Sequence, residues 1–98
     1  MAKIIAYDVP KPGVKMEDIQ PILKEEAAHA WEAYKSGVYR ELYLRTDRPG
    51  AVVVLECADV EEAKAIISEL PLVKAGLIEF QFIPVGPFMA WETLFATK

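Results

Sequence analysis

The stretch VYRELYLRTDRPGAVVVLEC, residues 38–57, decides how the chain is read. Val38 to Thr46 and Ala51 to Cys57 are rich in β-branched, aliphatic and aromatic residues, which suit a pleated backbone. Between them, Asp47-Arg48-Pro49-Gly50 is turn chemistry, because Pro presets φ and Gly accepts conformations closed to other residues. The spacing predicts two strands joined as a hairpin.

Working outward, each side of the hairpin carries a helix. From about Met16 to Ser36 the apolar period is helical, starting at Asp18 or slightly earlier. Pro21 is tolerable there because it lies near the start, and Gly37 is placed as a left-handed stop. Asp59 is placed to cap a second helix running to about Leu70, where Pro71 stops it. Beyond the helices lie two more strands. Lys3 to Val9 ends at Pro10, Pro12 and Gly13, and Leu77 to Val85 follows Gly76. Gly86-Pro87 then breaks the chain before a short amphipathic tail.

The order β-α-β-β-α-β predicts an α+β, ferredoxin-like domain over residues 1–86, with a C-terminal helical extension over 87–98. Its economical form is a four-stranded antiparallel sheet with both helices on one face. The strands are apolar on both faces, as Ile4 and Ile5, Val52 and Val53, and Phe82 and Ile83 illustrate. A sheet of that kind needs a second cover. A second copy supplies it, so a homodimer closing an α/β barrel is expected, with larger assemblies open. In the tail, Phe88, Trp91 and Phe95 share a helical face, and leaving them in water forgoes ~1.5–3 kcal/mol of burial each. They are expected either to close over the partner's pocket as a lid or to pack on an outer surface.

Composition narrows the classes. A chain of 98 residues is one domain, and an apolar fraction of 53% argues against disorder and for burial against another copy. The net charge of −4, without a Lys or Arg block, leaves no footprint for nucleic acid or an anionic membrane. No apolar run approaches the ~18 residues of a membrane span. Cys57 is the sole cysteine, which fits a reducing compartment, and Met1-Ala2-Lys3 carries no cleavage pattern, so the cytoplasm is expected. Cys57 itself reads as a small buried filler. One His and one Cys make no His/Cys metal site, and the chain has neither a Gly-rich phosphate loop nor a Gly-x-Ser-x-Gly elbow.

Glu26 is the most informative residue. At ~100° per residue, Ile19, Ile22, Leu23, Ala30, Ala33 and Tyr34 form one stripe, and Glu26 falls inside it. A carboxylate facing the sheet has its charged form disfavoured, which suits taking a proton beside a carbonyl and returning it elsewhere. The alternative is a structural ion pair with Arg40. His29, three residues on, relays the proton or simply bonds water at the helix edge. Arg40, placed by alternation with Leu42 and Leu44, clamps a substrate carboxylate or neutralises Glu26. Tyr39 and Tyr43, with Trp31, are the aromatic candidates for holding a flat substrate; the two tyrosines equally suit an interface.

Three local patterns resemble the muconolactone isomerase-like family of dimeric α/β-barrel proteins, over about Glu26 to Pro84. They are Ser36-Gly37-x-Tyr39-Arg40-x-Leu42-Tyr43, Ser68-x-Leu70-Pro71-Leu72 and Ile78-Glu79. The resemblance implies isomerisation of a small unsaturated lactone bearing a carboxylate, without metal or organic cofactor, in the cleft between helix and sheet. The family has a basic residue where this chain has Ala27, and the tail here is longer and more aromatic. The chain contains no Asn, so the Asn-Trp-His set of haem-degrading relatives of the fold is missing. The expected function is therefore a cofactor-independent isomerase or cyclase acting on a small unsaturated carbonyl compound. The alternatives are a cofactor-free oxygenase on an aromatic ring and a non-catalytic ligand-binding or assembly domain.

Overall fold

The computed structural model describes residues 1–96, so Thr97 and Lys98 of the expected extension lie outside the described residues. Its elements are β1 (Ala2–Pro10), α1 (Met16–Ile19), α2 (Leu23–Lys35), β2 (Tyr39–Leu44), β3 (Ala51–Cys57), α3 (Val60–Ile67), α4 (Pro71–Lys74) and β4 (Ile78–Val85). A single 3-10 turn covers Gln20–Ile22, and a 3-10 helix of two turns covers Met89–Leu94. The strands form one open antiparallel sheet in the order β2-β3-β1-β4. The fold is α+β and consistent with the ferredoxin-like arrangement.

Local chemistry explains the boundaries. Asp59 Oδ1 accepts the N–H of Glu62 at 2.8 Å and caps α3 as expected. Gly37, at φ 88°, closes α2, with the N–H of Val38 reaching the carbonyl of Ala33 at 3.1 Å. Both prolines act more strongly than their sequence positions suggest. Pro21 lacks the N–H that a continuous helix needs, so the expected first helix splits into α1, a 3-10 turn and α2. The second expected helix ends at Ile67, and Pro71 opens α4 instead of merely stopping α3.

One face of the sheet meets the helices. Ile4, Ala6, Val53, Leu55 and Cys57 are buried there with Ala63, Ile67 and Leu70 from the α3 side. The other face has no helix over it: Ile5, Tyr7, Val9 and Val52 are half-buried, while Ile83 and Val85 are exposed.

β2 departs from simple alternation. Tyr39 pairs with Leu55 and Glu41 with Val54, so Arg40 is an extra residue, a bulge. Tyr39 therefore shares the helix-covered face with Leu42 and Leu44, and Arg40 leaves it.

The chain after Val85 stands away from this body. The molecule measures 61 × 28 × 21 Å, and its radius of gyration of 16.1 Å exceeds the ~13 Å of a compact domain this long. Phe88, Met89, Trp91, Leu94 and Phe95 are all exposed along this arm, where Phe88 and Trp91 meet edge to face at 5.5 Å.

Candidate functional site

Between α1, α2 and the helix-covered face lies a cavity of about 400 Å³. Met16, Ile19, Leu23 and Ala30 line it from above, Leu42, Leu44, Val53 and Phe80 from the sheet, and Leu70 and Leu72 from the α3–α4 side. The space persists because α2 buries no residue and turns alanines, Ala30 and Ala33, toward the core. Three acid or hydroxyl side chains reach this apolar lining: Glu26, Asp8 and Tyr39.

Glu26 lies in the first turn of α2 and faces inward, as the helical stripe predicts. Its Oε1 accepts the backbone N–H of Leu72 at 3.0 Å, which leaves Oε2 for the cavity. Burial pushes its pKa above the ordinary carboxylate value. The Leu72 N–H and His29 pull the other way, and the charge of Asp8 adds to the rise.

Asp8 is 8% exposed and is the buried charged residue of the core. It ends the inward row Ile4, Ala6, Asp8 on β1. Oδ2 accepts the N–H of Ala51 at 3.1 Å. Arg48 donates to the Asp8 carbonyl at 2.7 Å, and its Nη1 stands 3.6 Å from Oδ1, too far for a hydrogen bond. Burial raises the pKa of Asp8 despite the opposing Ala51 N–H and Arg48. Gly50 makes this arrangement possible. A Cβ there would lie 2.5 Å from Asp8 Oδ1 and 2.6 Å from Arg48 Nη1, at a φ of +153°.

Tyr39 is 1% exposed, and its hydroxyl has no hydrogen-bond partner. Burial, then the Glu26 carboxylate, pushes its pKa far up, so the phenol keeps its proton.

The expected site residues fall into separate places. Glu26 and Tyr39 line the cavity. His29 is half-buried on α2, close enough for its charge to act on Glu26, but does not line the cavity wall. Trp31, Arg40 and Tyr43 line a shallow outer groove of about 520 Å³ between α2 and the free edge of β2. The bulge turns Arg40 away from Glu26 and leaves it 3.8 Å from Glu56. Tyr43 is exposed and donates to Glu41 at 2.6 Å. Asp8 is not among the site residues the sequence offers, and Gly50 enters there only as a turn residue. The available signal was an aspartate in register with buried Ile4 and Ala6, facing the Pro-Gly turn.

Among the described residues no three His, Cys, Asp or Glu side chains gather as a metal site, and no helix is long and apolar enough to cross a membrane. The chain matches no protein-family model and no curated protein.

Proposed function

We propose that the chain is a cofactor-independent isomerase or cyclase that moves a proton on a small unsaturated carbonyl compound held in this cavity. The observation that carries the reading is the inward Glu26 carboxylate, with its pKa raised by burial, bordering an apolar space large enough for a small molecule. In the ionised form Glu26 removes a proton from the carbon beside the carbonyl. The C–H electron pair moves into the conjugated system and onto the carbonyl oxygen. The same carboxyl then returns the proton to a carbon further along, so the double bond shifts and nothing is oxidised. His29, three residues along α2 and half-buried, serves as the relay for the proton that Glu26 carries. Arg40 lines the outer groove and takes no part in the proton transfer.

The chain acts as a homodimer. The uncovered sheet face and the exposed arm are apolar surfaces that a second copy removes from water. Sedimentation should give twice the chain mass at micromolar concentration; a monomer there removes the dimer from the reading.

Proton exchange tests the reaction. β,γ-Unsaturated cyclic ketones in deuterated buffer should incorporate deuterium and isomerise in the presence of the protein. Glu26→Gln should lose ~10²–10⁴-fold of that rate with the fold intact. Undiminished exchange in this variant overturns the assignment.

A further inference from the structure

Two side chains that line the cavity end in a polar atom with no hydrogen-bond partner and no accessible surface, Tyr39 Oη and Asp8 Oδ1, so a ligand bonds them once the side chains turn toward the slot. Leaving such a group unsatisfied costs about 1–3 kcal/mol, which a ligand that pairs with it restores.

Register places the two far apart. Tyr39 pairs with Leu55, which pairs with Ile4, and Asp8 lies four residues further along β1. Four residues of strand span about 13 Å, so the two side chains start from well-separated points of the sheet face under the slot. Glu26 lines the same slot from α2.

The two ends have complementary chemistry. Tyr39 Oη carries a proton to donate, and Asp8 Oδ1 is an acceptor. Among the described residues the one cation on the cavity wall is Arg45. Its guanidinium is already occupied by Asp47, at 2.8 and 2.6 Å. Arg48 is spent on Asp8 and the backbone, and Arg40 has left this face. A carboxylate entering the slot meets two carboxyl groups and no free cation.

We propose that the cavity selects a neutral, flat compound with a carbonyl oxygen at one end, bonded by Tyr39 Oη, and a hydroxyl or N–H donor at the other, bonded to Asp8 Oδ1, and that it rejects carboxylates. This names the substrate class of the proposed reaction and rests on the same cavity. Tyr39 would hold the oxygen on which negative charge develops when Glu26 takes the proton. The carboxylate-bearing lactone implied by the family resemblance is then the wrong ligand.

Calorimetric titration near neutral pH with four probes tests this. Para-hydroxyacetophenone carries both groups, acetophenone lacks the donor, para-ethylphenol lacks the carbonyl, and para-hydroxybenzoate is an anion. The first should bind about tenfold tighter than either of the next two, one hydrogen bond being removed in each case. The benzoate should not bind. Tyr39→Phe should bind para-hydroxyacetophenone and para-ethylphenol equally, and Asp8→Ala, if circular dichroism shows it folded, should erase the preference over acetophenone. The proposal is overturned by benzoate binding as tight as the ketone, by a carbonyl preference that survives Tyr39→Phe, or by no binding of any probe. Glu26→Gln should keep the probe preferences. Proton exchange undiminished in that variant, with those preferences intact, removes the proposed reaction and leaves this selectivity standing.

Discussion

Helices α2 and α3 lie on the same face of the same sheet but do different jobs. The thirteen residues of α2 bury none of their side chains, whereas the eight of α3 bury Ala63 and Ile67. Beneath α3, Ile67 and Leu70 close on Ile4, Leu55 and Cys57, and the space is filled. Beneath α2, alanines stand over a cavity, and the polar groups of the face collect there. The contrast teaches that this small domain concentrates its packing in one half and leaves the other half under-filled, where the half-buried Glu26 carboxylate has no salt-bridge partner among the described residues.

Substitutions can break the contrast or sharpen it. The largest effect expected is kinetic and confined to the α2 half: the loss of proton exchange in Glu26→Gln, with no loss of fold. In the α3 half the large effect is on stability. Leu55→Ala or Ile67→Ala should cost ~2–5 kcal/mol in urea unfolding, because each empties a filled core. Leu23→Ala, at the edge of the existing cavity, should cost under about 1 kcal/mol. Equal costs in the two halves would erase the distinction.

Gly50→Ala should lose about 1–3 kcal/mol, since the added methyl strikes Asp8 and Arg48 at a backbone angle that disfavours side chains. A neutral result would show that this corner yields. A smaller effect separates the halves by pH. Folding raises the pKa of Glu26, so the folded state binds more protons than the unfolded state between the two values. The raised pKa therefore favours folding below the usual carboxylate range, and that contribution disappears as pH rises through the folded value. Glu26→Gln should accordingly be more stable than the parent at neutral pH and lose its advantage in acid. An advantage that grows on acidification contradicts a raised pKa. The smallest change is expected for Tyr39→Phe. It deletes a hydroxyl that bonds to nothing, so thermal melting should stay level or rise slightly.

Much of this was legible in the sequence where one residue type has one local consequence. The turn at Asp47–Gly50, the Asp59 cap and the Gly37 stop are of that kind, and the helical stripe was enough to turn Glu26 inward. The bulge at Arg40 was not legible, because alternation carries no sign that a strand holds one residue too many, and that single residue exchanged the faces of Tyr39 and Arg40. Pro21 announced a disturbance without its extent. Asp8 is the more instructive omission: it lies inside the expected strand Lys3 to Val9, and a period of two through Ile4 and Ala6 points it inward, but no neighbour in sequence marks an acid so near the end of a strand as buried.

The exposed arm has a practical consequence through its indole. The chain has two tryptophans, Trp31 on the outer groove and Trp91 on the arm, and both are more than half exposed. Neither faces the cavity. Intrinsic tryptophan fluorescence is therefore a gauge of the proposed self-association, emission at longer wavelength on dilution being the expected sign of it, and it reads assembly on a channel apart from occupancy of the cavity.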